Sequence, residues 1–240
     1  MLTRPAQEGV TLIELLIGSA LGLLILSALL GLYGTMVHSS GEGLRATQLQ
    51  QQLRAVLGIL QQDLRRAGYY GVAPDTAALP LLRANPFTDA DDPNKAVTER
   101  NDIRLGQYPA ESADSCILYS YDLDGDGNLT SSGTGMERFG FRLRAGQLQM
   151  RAGGTAFDCA QGSWQAVSDG GVEITQLHFQ LDSTPLHPQQ GENACTGGEP
   201  CLYIRSVRIQ LSGRLRADHS VWMTLHDRVR VRNDRYLASL

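Results

Sequence analysis

From Leu15 to Val37 the chain carries no charged residue. At 1.5 Å per residue, a helix over this run is long enough to cross a bilayer core of roughly 30 Å. The polar stretch Ser39-Ser40-Gly41-Glu42-Gly43 follows and reads as a loosened turn or a short break. Beyond it Leu49, Leu53, Val56, Leu57, Leu60 and Leu64 recur at intervals of three and four, with Gln50, Gln51, Arg54, Gln61, Gln62 and Arg65 between them. That spacing predicts an amphipathic helix with one apolar face. Gly68, before Tyr69-Tyr70-Gly71, is its stop signal. If continuous, the helix runs from about residue 10 to about residue 67, on the order of 85 Å. Its first half is apolar all round and suits a membrane or a fibre core. Its second half suits packing on a globular domain.

The period then changes from helical to alternating. Residues 72–114 are rich in Pro, Asp, Asn and Ala and read as a long irregular excursion. Residues 115–121 are β-rich, and 139–144 and 147–151 flank Ala145-Gly146 as a hairpin. Over 172–181, Val172, Ile174, Leu177 and Phe179 alternate with one slip. Over 202–211, Leu202, Ile204, Val207, Ile209 and Leu211 also shift once, and 221–231 closes the set. Such spacing predicts an antiparallel sheet. The fold class is therefore α+β, a long N-terminal helical spine packed on an antiparallel β-sheet head.

Composition narrows the class. The 240 residues are 42% hydrophobic, enough for a real core, and the net charge of −4 gives no bulk case for nucleic-acid binding. The four cysteines form no CxxC pair and join no His cluster, which argues against zinc. In an exported chain an even count favours disulfides. Cys195 and Cys201 enclose a short Gly-rich segment and are the favoured pair; Cys116 with Cys159 follows by elimination. Four buried free thiols are the competing reading.

The apolar run has an unusual preface. A secretory signal would place a short apolar core before a small-residue cleavage site. Here a polar leader, MLTRPAQEG, comes first and ends at Gly9. Arg4 and the initial amine favour a cytoplasmic N-terminus with the rest exported, and Glu8 opposes that bias. Glu14 at the edge of the span would cost about 2–3 kcal/mol at mid-membrane depth, so it needs a partner. Were the chain cut after Gly9, the new Val10 amine would lie four residues from Glu14. In a bundle of such helices, Glu14 of one subunit could meet the amine of its neighbour and set the axial register. Alternatively, Glu14 snorkels to the headgroups.

The run Gly9-Val10-Thr11-Leu12-Ile13-Glu14 resembles the prepilin signal of type IV pilins and type II secretion pseudopilins. The resemblance implies cleavage after Gly9 by a prepilin peptidase, methylation of the Val10 amine, and Glu14 as the assembly glutamate. Val10, where Phe or Met is usual, and the acidic Glu8 depart from the pattern. The stretch Asp63-Leu64-Arg65-Arg66-Ala67-Gly68-Tyr69-Tyr70-Gly71 resembles the spine-helix end of PilW-type minor pilins, as do V-R-I-Q-L-S-G-R-L at 207–215 and V-R-V-R-N at 229–233. A plain helix C-terminus with basic residues suiting the dipole is the alternative for the first of these. The implied organisation is a prepilin leader at 1–9, a transmembrane assembly helix at 10–38, an amphipathic helix at 39–68 and a β-rich periplasmic domain at 69–240. The implied role is a minor pilin of the inner membrane that helps prime or cap a pilus. Its implied partners are other minor pilins, the major pilin and the prepilin peptidase. A J-type minor pseudopilin and a membrane-tethered calcium-dependent binding module are the alternatives.

One constellation is ligand-like. Asp122, Asp124, Asp126 and Asn128 match the first half of an EF-hand loop and are the candidate calcium ligands. The twelfth position is Gly133, so the bidentate Glu is missing, and Glu137 could substitute. A polar Asp/Gly β-turn explains the same residues without a metal, and PilW-type proteins often carry such a turn here. The histidines His38, His178, His187, His219 and His226 form no HExxH, and there is no G-x-S-x-G elbow or P-loop. Nothing in the sequence supports an enzyme.

Overall fold

A computed structural model gives the architecture and describes residues 9–71, 85–88, 101–130, 136–154, 156–188, 191, 195 and 200–237. Leader residues 1–8, most of the irregular excursion (72–84 and 89–100), Gly133 and positions 196–199 of the small cysteine loop lie outside the described residues. The chain divides into two units, Met1–Thr47 and Gln48–Leu240.

A single helix, α1 (Leu12–Leu64), carries through Ser39–Gly43 unbroken, where the sequence suggests a turn or break. Two glycines in a helix of this length cost about 1 kcal/mol each and do not by themselves end it. Within the second unit, Leu49, Leu53, Leu60 and Leu64 are fully buried, with Val56 and Leu57 nearly so. They are the apolar stripe read from the sequence.

The strands are β1 (Arg104–Gly106), β2 (Cys116–Ser120), β3 (Arg138–Arg144), β4 (Gln147–Gly153), β5 (Ser163–Ala166), β6 (Val172–Leu186), β7 (Cys201–Leu215), β8 (Trp222–Arg230) and β9 (Arg235–Leu237). They form two antiparallel sheets where the alternation predicts one. β1 to β5 make a five-stranded meander, and β6, β7 and β8 lie side by side with β9 pairing the start of β7. Alternation specifies which face is buried, not which sheet a strand joins.

The inner faces meet α1. Ile117, Tyr119, Phe141, Leu143 and Leu148 of the first sheet share one core with Leu177, Phe179, Val207, Ile209, Leu211 and Val229 of the second. Register builds this core from cross-strand pairs: Ile117 opposes Phe141, Phe141 opposes Met150, and Phe179 opposes Ile209. The slip in β6 is a bulge between Ile174 and Gln176. The shift in β7 has another cause. Arg205 occupies an inward position, 2% exposed, where it pairs with the buried carboxylate of Asp102. The apolar Leu202 and Ile204 therefore fall on the opposite face from Val207 and Ile209.

Disulfides join Cys116 to Cys159 and Cys195 to Cys201. The first ties β2 to the loop between β4 and β5. Arg104, Arg142 and Arg151 donate from the same sheet face to carbonyls of that loop, namely Phe157, Cys159 and Ala156. Arg142 also lies over the rings of Tyr108 and Trp164.

Candidate functional site

The N-terminal motif begins with two exposed residues, Gly9 and Val10, that precede α1. Thr11 is the N-cap. Its N–H donates to Glu14 Oε2 at 3.1 Å and its hydroxyl donates to the same oxygen at 2.9 Å. The Glu14 N–H returns to Thr11 Oγ1 at 3.4 Å. This is a reciprocal capping box, T-x-x-E. It starts the helix just after the Gly9–Val10 bond and leaves that bond in exposed, non-helical backbone. Reading Glu14 only against a neighbour's amine or the headgroups missed this third partner, although the spacing to Thr11 shows it.

Between Leu15 and Met36 α1 carries no charged residue, and the helix is long and apolar enough to cross a membrane by length and composition. Leu15, Leu23, Leu30 and Met36 are among the many exposed apolar side chains of this segment. Ser19, Ser27 and Thr35 return their hydroxyls to the carbonyls of Leu16, Leu24 and Leu32. These polar groups are thus satisfied inside the helix, as an apolar surrounding requires.

The end of α1 shows what the segment 63–71 does in the second unit. Asp63 accepts the phenol hydroxyls of both Tyr119 and Tyr121, the latter at 3.0 Å. Burial, then the Asp63 carboxylate, pushes the Tyr119 phenol well above its ordinary value and the Tyr121 phenol up to about 12. Gly68 takes a left-handed φ of 72° and donates its N–H to Ser120 O at 2.8 Å. The carbonyls of the turn that follows α1 find partners far away in sequence: Asn233 Nδ2 reaches Arg66 O and Ala67 O, and Asn85 Nδ2 reaches Gly68 O.

The Asp/Gly turn is built on one buried carboxylate. Asp122 is 2% exposed and accepts N–H bonds from Gly125 at 2.7 Å, Gly71 at 2.8 Å and Gly127 at 2.9 Å. Its own N–H donates to Tyr69 O. A Cβ on Gly71 would lie 2.8 Å from both Asp122 Oδ2 and Gly125 O, so only glycine lets the helix exit approach the turn. Glu137, fully buried, accepts from Leu123 N at 2.7 Å and Thr130 N at 2.8 Å. Burial pushes its pKa up, the two N–H bonds oppose that, and nearby Asp122 and Asp124 add to it.

Oxygens of Asp122, Asp124 and Glu137 lie within 4.8 Å of one another, a spacing that could hold one hard cation. Asp126 is not part of this group. Asp126 Oδ1 instead accepts the Asn128 N–H at 2.7 Å. Glu137, nine residues beyond Asn128, and not a twelfth-position Glu, is the third carboxylate of this group. His178 and His226 flank Gln210 on the face of the second sheet opposite the core.

A protein-family model described as prepilin peptidase-dependent protein B matches residues 42–231. No curated protein and no solved structure matches the chain.

Proposed function

Because the chain belongs to the prepilin peptidase-dependent protein B family, we propose that it is a minor pilin of a type IV pilus. It is anchored in the inner membrane by α1, carries its β-rich head in the periplasm, and helps prime or cap fibre assembly. One observation carries this reading. The family match begins at residue 42 and leaves out the Gly9–Glu14 motif, so head and N-terminus point to prepilin processing independently. The peptidase cuts after Gly9, where the backbone is exposed and not yet helical, and the freed Val10 amine is then methylated.

Glu14 is the assembly residue. In the single chain it caps its own helix through Thr11. Beside another subunit it pairs with that subunit's N-terminal amine, which aligns helices that are otherwise uniformly apolar. A carboxylate in an apolar surrounding has few partners, so a misaligned neighbour costs free energy. The two disulfides fit an oxidising compartment for the head. The role is structural rather than catalytic, and the partners are other minor pilins and the major pilin. The Glu14→Ala variant tests this directly. It should reach the inner membrane in wild-type amount and be missing from sheared fibres. Normal incorporation of that variant would overturn the reading.

A further inference from the structure

Among the described residues of the Asp/Gly turn, the Asn128 side chain is held only weakly. Asn128 is exposed, and its backbone N–H is held by Asp126 Oδ1. Among the described residues its side-chain amide makes one long hydrogen bond, 3.3 Å to the Asp126 carbonyl. Its sequence context is Asp126-Gly127-Asn128-Leu129-Thr130, and it is the one place in the chain where Asn is followed two residues later by Ser or Thr.

We infer that Asn128 is an N-linked glycosylation site, modified on the periplasmic face of the membrane by an oligosaccharyltransferase. The inference rests on the proposed export of the head. The N-x-T pattern with Leu129 between meets the acceptor requirement, and such sites occupy surface loops of exported proteins. Asn128 is exposed at the surface of the turn. Thr130 is anchored through its N–H to Glu137 Oε2 at 2.8 Å, which fixes the backbone that presents the hydroxyl two residues on.

The donor is a sugar carried on a polyprenyl diphosphate. Asn128 Nδ2 attacks the anomeric carbon, a C–N bond forms and the bond from that carbon to the diphosphate oxygen breaks. The amide proton passes to a base on the transferase, and the lipid diphosphate leaves. No redox partner is needed.

The test uses the full-length chain purified from the membranes of its own cells, reduced and digested with trypsin. The peptide 105–138 contains Asn128, and mass spectrometry of it is read together with the N-terminal peptide. The expected result is a glycan mass on 105–138 that disappears in Asn128→Gln and in Thr130→Ala but persists in Thr130→Ser. A bare 105–138 peptide beside an N-terminus that starts at Val10 overturns the inference while the pilin reading stands. A sugar that survives Asn128→Gln overturns it equally. An N-terminus still at Met1 refutes the pilin reading itself.

Discussion

The two units of this chain satisfy their side chains in opposite ways. In residues 12–36 the large apolar side chains are exposed, and the hydroxyls bond within one helical turn. In the unit beginning at Gln48, the same helix buries its leucines in a core drawn from two sheets. There the turn that follows it is held by Asn85 and Asn233, from distant parts of the chain. The contrast is between a head that supplies its own surroundings and a stem whose apolar side chains find no cover within the described residues. Stability of the head should therefore answer only to substitutions within it.

The largest expected effect in the head is loss of the Cys116–Cys159 bridge. It closes a separation of 43 residues, and replacing both cysteines by serine should cost about 4 kcal/mol in urea unfolding, against about 2 kcal/mol for Cys195–Cys201 with its separation of 6. Equal costs would mean that the long loop is held by the Arg104, Arg142 and Arg151 bonds alone. Next comes Asp122→Ala, which strands three N–H donors and should cost about 3 kcal/mol. Asp124→Ala, at an exposed position, should stay within about 0.5 kcal/mol. A matching loss at Asp124 would instead favour a bound cation.

The Asp63 pair is tested by alkali. The Tyr121 phenol has its ordinary value of about 10 when unfolded and about 12 when folded, so the proton is held more tightly in the fold. That contribution is fully present below pH 10 and is lost as pH rises toward 12. Tyr121→Phe should cost about 1 kcal/mol at neutral pH and make stability flatter over pH 10–12, read by thermal melts across that range. The smallest effect belongs to the stem: Leu23→Ala in detergent should leave the head's melting transition unchanged. A shift of several degrees would break the contrast between the units.

Much of this was legible in the sequence. The i, i+3, i+4 leucines of 49–64 and the β3–β4 hairpin follow directly from period and turn residues. The division into two sheets was not legible, because period 2 reports a buried face only. β1 and β9 span three residues each, too short for a period to register. Arg205 disguised the face of β7, since its burial depends on Asp102, 103 residues earlier in the chain. Glu137 joins the Asp/Gly turn through a strand start nine residues beyond Asn128, a spacing that no local rule fixes. The segment 63–71 was read as a helix end with a family likeness. Its physical role, an anchor for Tyr119, Tyr121 and Asp122, required tertiary neighbours.

The most direct test of the central claim is the intact mass of the mature chain, with sequencing of its first peptide. A prepilin-processed subunit gives loss of residues 1–9 and one added methyl group on Val10. A chain that still starts at Met1, or one cut beyond the apolar run, contradicts it.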